Sequence, residues 1–513
     1  MFELFSARSR KWLPRPPGVG HDSLKICPHS LNAGCPVGAN TCICRQDPHP
    51  MRKLYLLLWL VGNCAWAQVQ LVKDIAPSVN VAGLVTRNFI VAGDYTYFVG
   101  SNDRVHGDEL WRLDPASPTG ARLVRDIYPG RTGSAPHDFI AFNGLLFFVA
   151  TDQLHGPELW RSDGTMDGTF MLYDIAAGSG GSYIQGLIVF HSALYFMAND
   201  NVSGNELWVT DGTELGTRIF KDIKPGVGSG LGGDFAPVQL GDQMIFEAND
   251  GPNGLELWKS DGTVAGTVLL KDIAAGSTMA EPYNLVVAGN RVYFAADGGQ
   301  GFELWFTDGT AEGTQLLKDI NPNGSSSPES VTAVGTMLYF LSNDGTHGQE
   351  LWKSDGTAEG TLMVHDFIPG PGGGAIDQLT SFNDKLYFAG DDGTTGTELW
   401  MTDGTSAGTS LVINLEPDPN SNGIGGLTVA GNKLIFVASD GTHGLEPWAS
   451  DGTAAGTFML GDLLPGSGDS VYPNTMIALG GKVYFSAGNG SGMNLQTYAT
   501  DGTVAGTAAL TDL

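Results

Sequence analysis

Cysteine is missing from residues 68 to 513, because all five cysteines lie at positions 27, 35, 42, 44 and 64. That part of the chain has no disulfide and no thiol chemistry, so its stability must come from a packed core. Basic residues are also scarce: 27 Lys and Arg stand against 55 Asp and Glu, a net charge of -28. This charge opposes binding to nucleic acid and to anionic membranes, because like charges repel.

No stretch has the periodicity of a long helix, and no apolar run is long enough to span a bilayer. The run Leu54 to Val61 follows Arg52 and Lys53 and precedes Ala65-Trp66-Ala67. A basic start, a short apolar core and an Ala-x-Ala site are typical of a secretory signal peptide. We therefore predict that translation starts at Met51, that residues 51–67 are removed and that the protein is secreted or lies at the cell surface.

Residues 1–50 are then interpreted as a mis-annotated upstream segment, expected to be disordered. A genuine leader that binds zinc through Cys42 and Cys44 is the alternative. The remaining part, residues 68–513, holds 19 Lys and Arg against 52 Asp and Glu, so the exported part is more acidic than the whole chain.

One unit is repeated nine times along residues 68–513. Its marker is Glu-Leu-Trp, with the worn copies Glu446-Pro447-Trp448 and Gln496-Thr497-Tyr498, and the spacing is 47 to 50 residues. The tryptophans of the unit are Trp111, Trp160, Trp208, Trp258, Trp305, Trp352, Trp400 and Trp448. Such regularity indicates equivalent units that each bury an apolar face against the next.

Inside one unit the hydrophobic period is two. In the unit of Trp305 the segments that predict short strands are 269–273, 285–288, 292–295 and 303–306. Four antiparallel strands in about 48 residues are typical of a β-propeller blade. We predict an all-β protein, a propeller of nine four-stranded blades. Eight blades with a spare unit, or an open array, are the alternatives.

A second marker is the turn Asp-Gly-Thr, followed by Gly-Thr. Its aspartates are Asp163, Asp211, Asp261, Asp308, Asp355, Asp403, Asp451 and Asp501. Glycine and aspartate favour tight turns. The first unit reads Asp114-Pro115 at this place, which predicts that it lies at an end or a closure point.

The run Glu256-Leu257-Trp258-Lys259-Ser260-Asp261-Gly262-Thr263 resembles the bacterial ELWxxDGT repeat family, and eight units share most of it. That resemblance implies an exported repeat protein with a propeller-like fold and no shared catalytic activity. The spacing Ala295, Asp297, Gly301, Trp305 is also similar to the tryptophan-docking motif of quinoprotein propellers. That similarity implies that each indole wedges between adjacent blades. A sugar-stacking platform on each blade is the alternative.

A strand ending in Asp-Ile or a relative occurs ten times, one more than the repeated cores. The surplus copy, either Leu71 to Ile75 or Ala508 to Leu513, is predicted to pair with the opposite end of the chain and remove an exposed edge.

Repeated carboxylates form two sets, one at Asp222, Asp272 and Asp319 and the other at Glu206, Glu256 and Glu303. Each set either forms a circle of charge that attracts cations or has a local role. The local role is a bond to turn N–H groups for the aspartates, and solvated pairing with lysine for the glutamates.

Calcium is the one metal considered, because the loops Asn249-Asp250-Gly251 and Asn343-Asp344-Gly345 hold oxygen ligands. Four histidines, His106, His155, His347 and His443, each lie five residues before a tryptophan. Equivalent loops on different blades are far apart, so these histidines are interpreted as exposed loop residues and not as a shared metal site.

No nucleophile elbow, paired-histidine zinc motif or phosphate-binding glycine loop is present in the sequence. No catalytic, cofactor-binding or metal-binding residue is therefore assigned, and no cofactor is predicted. The first hypothesis is a non-catalytic, exported scaffold whose blade loops bind protein or glycan. The alternative is an exported propeller enzyme, either quinoprotein-like or a glycan-active hydrolase, with its site near the central channel.

Overall fold

The computed structural model describes residues 85–102, 106–114, 117–232, 235–416, 423–471, 475–488 and 495–509. The predicted signal peptide, the segment upstream of it and the strand Leu71 to Ile75 lie outside the described residues. Within the described part of the chain, no helix has the length and hydrophobicity needed to cross a membrane.

The described residues form nine antiparallel sheets of four strands each. Blades 1 to 3 are β1 Val85–Ala92, β2 Tyr95–Asn102, β3 Gly107–Asp114, β4 Ser117–Arg125; β5 His137–Phe142, β6 Leu145–Thr151, β7 Pro157–Ser162, β8 Phe170–Tyr173; β9 Gln185–Phe190, β10 Ala193–Asn199, β11 Asn205–Thr210 and β12 Arg218–Lys221. Blades 4 to 6 are β13 Val238–Leu240, β14 Gln243–Asn249, β15 Leu255–Ser260, β16 Val268–Lys271; β17 Tyr283–Ala288, β18 Arg291–Asp297, β19 Phe302–Thr307, β20 Gln315–Lys318; β21 Glu329–Val334, β22 Met337–Asn343, β23 Gln349–Ser354 and β24 Leu362–His365. Blades 7 to 9 are β25 Asp377–Phe382, β26 Lys385–Gly390, β27 Glu398–Thr402, β28 Ser410–Ile413; β29 Ile424–Ala430, β30 Lys433–Ala438, β31 Glu446–Ser450, β32 Phe458–Met459; β33 Ile477–Leu479, β34 Lys482–Gly488, β35 Leu495–Thr500 and β36 Ala508–Ala509.

The nine sheets are the blades of a closed β-propeller. First strands of neighbouring blades contact one another, so they are innermost and surround the channel. Blade 9 packs on blade 1, where the rings of Phe89 and Tyr484 stack with centroids 5.2 Å apart. The nine-blade prediction is confirmed, and the first unit lies at the closure, as its missing turn predicted.

In the part of the chain that the structure describes, blades 9 and 1 meet through side-chain packing. Ala508 and Ala509 pair with Ala499 and Tyr498 of their own blade. The prediction that a strand beginning at Ala508 pairs with the opposite end is therefore wrong for these two residues. Among the described residues, each four-stranded sheet is formed within its own blade.

Each blade has two ends, which define the two faces of the ring. We call the face with the second-to-third strand loops and the blade-to-blade connections the loop face. The face with the first-to-second strand hairpins and the Asp-Gly-Thr turns is the turn face. This assignment of loops to the two faces follows from antiparallel pairing, because the chain reverses direction at every loop.

The core lies between the blades. Alternate residues of each second strand point to opposite neighbours: Tyr195 and Met197 pack with blade 4, whereas Leu194 and Phe196 pack with blade 2. A phenylalanine of the second strand is fully buried in every blade, at Phe98, Phe148, Phe196, Phe246, Phe294, Phe340, Phe388, Phe436 and Phe485. Burial on both faces makes each sheet depend on its neighbours, as the repeat pattern predicted.

Candidate functional site

The repeated indoles lie in the interfaces between blades. Seven of the eight are between 3% and 8% exposed, and Trp305 is half-buried. Each packs in a cluster with the preceding blade, as Trp160 does with blade 1 and Trp208 with blade 2. Trp111 packs with Ile477, Leu479 and Tyr484 of blade 9. The buried faces leave no open platform on which a sugar could stack.

The repeated aspartates hold the turns of the turn face. In the turn at Asp308, Oδ1 accepts hydrogen bonds from the backbone N of Thr310 at 2.9 Å and from its Oγ1 at 2.7 Å. Thr310 Oγ1 in turn accepts the N–H of Gly313 at 3.0 Å. These bonds hold the pKa of Asp308 below its usual value. The side chains are therefore committed to turn geometry.

Gly313→Ala is expected to destabilise the ring by about 1–3 kcal/mol, because overpacking forces neighbouring groups to shift. A Cβ at this glycine would lie 2.0 Å from Asp308 Oδ1, which is itself tied to Thr310. Gly180→Ala is the control, since its Cβ would come no closer than 3.9 Å to Asn201. Urea denaturation of both variants measures the difference, and equal midpoints would contradict the role of the turn.

The glutamates of Glu-Leu-Trp are buried and anchor the connections on the loop face. Glu206 is 0% exposed and accepts the N–H groups of Ile223 at 2.6 Å, Lys224 at 3.4 Å and Gly230 at 2.8 Å. Equivalent bonds to the following connection are made by Glu109, Glu158, Glu256, Glu303, Glu350, Glu398 and Glu446. The prediction of solvated glutamates paired with lysine is wrong, because these carboxylates face backbone donors inside the blade.

Burial raises the pKa of Glu206 to about 7, against the opposing effect of the N–H bonds. A group whose pKa is raised on folding adds stability below its unfolded pKa, and that stability is lost as pH rises through the folded pKa. Glu206→Ala is expected to cost about 1–3 kcal/mol, because three N–H groups lose their acceptor. The amide of Glu206→Gln does not titrate, whereas wild type loses stability as pH rises through the raised pKa of Glu206. The difference in free energy of unfolding between wild type and Glu206→Gln should therefore be smaller at pH 8 than at pH 4.5. Urea unfolding at both pH values checks this, and a constant deficit would contradict it.

Basic side chains join neighbouring blades. Lys259 Nζ donates to Gly309 O at 2.8 Å, and Arg291 Nη1 donates to Gly356 O at 2.9 Å, in each case in the next blade. Arg112, Arg125, Arg161, Lys221, Lys271 and Lys318 make equivalent bonds. Much of the scarce positive charge is thus used to connect blades.

The oxygens considered for calcium already have partners inside their own loops. Asn343 Oδ1 accepts Gly345 N at 2.7 Å, and Asp344 Oδ1 accepts Thr346 N at 2.8 Å and His347 N at 2.9 Å. Among the residues that the structure describes, no group of three His, Cys, Asp or Glu side chains is arranged to hold a metal. Calcium at these loops would have to displace the loop bonds, and calcium binding stays a prediction.

Three loop-face histidines lie beside the aspartate of their own loop. His347 Nδ1 lies 2.8 Å from Asp344 Oδ2, and His443 Nδ1 lies 2.8 Å from Asp440 Oδ2. His155 Nδ1 lies 3.0 Å from Asp152 Oδ2. His106 Nδ1 instead lies 2.9 Å from Asp126. Since Ser203 and Asn253 donate to the aspartate at the same loop position, the pairs first of all hold the loops.

The hydrogen bond to Asp344 raises the pKa of His347 above 6.5. The pair therefore stabilises the fold below pH 6.5 and loses this effect as pH rises through the raised pKa. We expect an NMR titration to give His347 a pKa above that of an unperturbed histidine. In Asp344→Asn this pKa should fall, while that of His443 should stay unchanged. An unshifted His347 in wild type would contradict the pairing.

The first strands of seven blades share one irregularity near the loop face, and the residue beside it differs from blade to blade. In seven blades a residue in the left-handed region interrupts the first strand, and a register shift accompanies it. The residues just before it occupy equivalent positions, opposite Val99, Val149, Met197, Ala295, Leu341, Ala389 and Val437. They are Arg87, His137, Gln185, Tyr283, Glu329, Asp377 and Gly425. We call the five residues His137, Gln185, Tyr283, Glu329 and Asp377 the channel-mouth residues.

Chemical variety at one structural position distinguishes the channel-mouth residues from the repeated ones. His137, Gln185, Glu329 and Asp377 are exposed, and Tyr283 is half-buried. Repetition elsewhere serves blade packing, whereas these positions differ from blade to blade. Sequence reasoning missed them, because the left-handed residue that aligns them has no fixed identity: it is Asn88, Asp138, Gly186, Asn284, Ser330, Gln378 or Gly426.

Two carboxylates stand at this level on adjacent blades. Glu329 begins β21 and Asp377 begins β25, and these inner strands contact each other, with Thr332 Oγ1 donating to Leu379 O at 3.3 Å. Gln349 Nε2 donates to Glu329 Oε1, and the N–H of Gln378 donates to an oxygen of Asp377 at 2.7 Å. Both acids therefore have hydrogen-bond partners and are still exposed.

An aromatic pair lies on the next blade. The rings of Tyr283 and Phe302 meet edge to face with centroids 5.4 Å apart. Burial, and secondarily the charge of Glu329, raises the pKa of the Tyr283 hydroxyl. Blades 5 to 7 thus present an aromatic surface and two carboxylates on one side of the channel mouth.

No family model and no curated protein matches this chain. Similar solved structures include a puromycin hydrolase, 14% identical with TM-score 0.38, over 69% of this chain and 58% of that one. Another, from a study of two prolyl endopeptidases, is 12% identical with TM-score 0.39, over 69% and 54%. A puromycin-hydrolyzing peptidase of Mycobacterium tuberculosis is 12% identical with TM-score 0.38, over 69% and 58%. The chain spans little more than half the length of these proteins.

All of these proteins are named as hydrolases or peptidases, so the predictions of a non-catalytic scaffold and of a protein that is not an enzyme are contradicted. The scaffold prediction depended on finding uniform units and no catalytic motif in them. Uniformity belongs to the blade interfaces, whereas the channel-mouth residues vary. An enzyme can keep both features, because a repeated scaffold can carry single functional residues on its inner strands.

Proposed function

We propose that this protein is an exported, glycan-active hydrolase whose site is the channel mouth on blades 5 to 7. The observation that carries the proposal is the pair Glu329 and Asp377, two exposed acids at the same level of adjacent inner strands. Export rests on the predicted leader at residues 51–67. The proposal takes no support from the similar solved structures, which share only a distant likeness with this chain.

Two carboxyl groups are what glycoside hydrolysis needs. One protonates the glycosidic oxygen as its bond to the anomeric carbon breaks, and the other takes a proton from the water that attacks that carbon. The hydrogen bonds from Gln349 and from Gln378 N orient Glu329 and Asp377 for this task. The Tyr283 and Phe302 rings provide apolar surface against which a sugar ring can pack.

A substrate panel tests the proposal. The purified protein is assayed with chromogenic glycosides and soluble polysaccharides, and in parallel with peptide p-nitroanilides and simple esters. We expect hydrolysis of at least one glycoside, and its loss in Asp377→Asn. Hydrolysis of peptides or esters alone, or glycoside hydrolysis that survives in Asp377→Asn, would contradict the proposal.

A further inference from the structure

Tyr183 has the most exposed Phe, Tyr or Trp side chain among the residues that the structure describes. It is 65% exposed, whereas Phe170 and Tyr173 are each 37% exposed. Tyr183 lies in the connection from blade 2 to blade 3, two residues before the channel-mouth residue Gln185. Single exposed apolar residues are normal on protein surfaces, so the assignment of a role depends on the backbone and the neighbours of this ring.

The backbone of Tyr183 is in the left-handed region, with a φ of 49°. This conformation is rare and strained for a bulky residue. Ala135, Glu281 and Ser327 have the same conformation at the equivalent position of other connections, with φ between 46° and 47°. The fold therefore dictates the conformation, and blade 3 alone of these four places an aromatic residue there. Because the ring is exposed, packing does not offset the strain.

The residues on either side hold Tyr183 in place. Ser182 N donates to Pro157 O at 2.9 Å, and Ser182 O accepts an N–H of β10 at 2.8 Å. Ser182 and Ile184 are 0% and 3% exposed, whereas Tyr183 and Gln185 are exposed. Alternating burial places the side chains of Tyr183 and Gln185 on the same open side of the chain. A ring on a fixed backbone loses little freedom when a ligand binds.

The segments beside Tyr183 carry exposed amides. Gln185 and Asn201 are both exposed. The Asn201 loop lies against the connection that carries Tyr183, since a Cβ on Gly180 would come within 3.9 Å of Asn201 Nδ2. A sugar ring has an apolar face and a rim of hydroxyl groups. An aromatic ring can pack on that face, and amides can both donate to and accept from the hydroxyls.

The position of Tyr183 on the ring limits the kind of sugar that could use it. Tyr183 is on blade 3, whereas Glu329 is on blade 6 and Asp377 on blade 7. Two whole blades lie between Tyr183 and Glu329, so one sugar ring cannot contact both. Tyr283 and Phe302 lie on the way, on blade 5. A chain of sugars can contact the aromatic residues of blades 3 and 5 and still reach the acids.

On the basis of the proposed function, we infer that Tyr183 is a sugar-binding platform and that the substrate is a polysaccharide. Its chain runs along the channel mouth from blade 3 to the acids on blades 6 and 7. A short glycoside occupies only the part of the site beside the acids and does not reach blade 3.

Kinetics with long and short substrates test this inference. Tyr183→Asn removes the ring and keeps a residue that adopts the left-handed region readily. We expect its KM for a hydrolysed polysaccharide to rise by about tenfold, which corresponds to about 1.4 kcal/mol of lost binding. Its kcat and KM for a short chromogenic glycoside should equal those of wild type. Tyr183→Phe keeps the ring and should keep the KM for the polysaccharide.

Tyr173→Asn is the matched control, because Tyr173 is an exposed tyrosine at the end of β8, the outermost strand of blade 2. It should leave the kinetics of both substrates unchanged. Equal KM values of Tyr183→Asn and Tyr173→Asn for the polysaccharide would overturn the inference.

Binding measured without turnover separates the platform from the proposed hydrolysis. Asp377→Asn is run in native gels that contain soluble starch, xylan or carboxymethyl cellulose. At least one polymer should slow its migration, and adding Tyr183→Asn should restore the migration. No retardation by any of the polymers, or retardation that survives Tyr183→Asn, would overturn the inference. Retardation that depends on Tyr183 in a protein that hydrolyses no glycoside would support the platform and contradict the proposed hydrolysis.

Stability distinguishes a binding role of Tyr183 from a structural one. Tyr183→Asn should have a urea midpoint equal to or above that of wild type, since asparagine tolerates the left-handed backbone better than tyrosine. A clearly lower midpoint would show that the ring packs in the fold, and would overturn the inference.

Discussion

Trp258→Ala is expected to lower the free energy of unfolding by about 3–5 kcal/mol, as for a large buried aromatic side chain. The indole is 6% exposed and packs among Phe190, Tyr195 and Met197 of the preceding blade. Its removal leaves a cavity that the fixed strands on both sides cannot close, because each strand is hydrogen-bonded in its own sheet. Urea unfolding at pH 7 measures the loss.

Val264→Ala is the control for Trp258→Ala, since Val264 is 54% exposed in a turn of the same blade. Exposed substitutions of this kind change stability by less than about 0.5 kcal/mol. An unfolding midpoint of Trp258→Ala that matches this control would show that the indole does not hold the blades together. A large loss in both variants would point to a general sensitivity of blade 4.

Glu329→Gln is expected to lower kcat for the best glycoside substrate by about 10²–10⁴-fold, the range for loss of a general acid or base. The substitution keeps the shape of the side chain and removes its ability to exchange a proton. Gln349 can still donate to the new amide oxygen, so the local structure should survive. The comparison of kcat with KM separates lost chemistry from lost binding.

Glu312→Gln is the matched control for Glu329→Gln. Glu312 is exposed in a turn of the turn face, on blade 5, far along the sheet from the channel mouth. Its replacement should leave kcat and KM as in wild type. If the two variants behave alike, the channel mouth has no special role in the reaction.

The repeat allowed the fold to be predicted from the sequence in some detail. The strands predicted at 269–273, 285–288, 292–295 and 303–306 correspond to β16, β17, β18 and β19. The assignment of all four to one unit is wrong, because β16 is the last strand of blade 4 and the sheet of Trp305 is completed by β20. Turn residues and a hydrophobic period of two are local properties, so they can be recognised without a structure. The number of blades in the closed ring was left open, because closure depends on the small angle between neighbouring sheets, which no single repeat encodes.

The glutamates show where local reasoning fails. A charged residue in a strand next to Leu-Trp predicts an exposed side chain, yet Glu256 is 0% exposed. Its carboxylate oxygens accept hydrogen bonds from the backbone N–H groups of Ile273, Ala274 and Ala280, which lie 17 to 24 residues further along the chain. A signal was present, because the glutamate recurs in eight units without a change to aspartate, as a fixed buried geometry requires.

The candidate site was missed for a different reason. His137, Tyr283, Glu329 and Asp377 share a position only because a left-handed residue shifts the register of each inner strand. Residues as different as Ser330 and Gln378 adopt this conformation, so the sequence offers no fixed marker. Only the pairing with the second strand shows that the four residues lie at one level.

The most direct test of the account is a crystal structure of Glu329→Gln with an oligosaccharide substrate bound. We expect a sugar ring at the channel mouth, with the glycosidic oxygen within hydrogen-bond distance of residue 329 or Asp377 and a ring face near Tyr283. An oligosaccharide bound instead at the second-to-third strand loops, near His347 or His443, would contradict it.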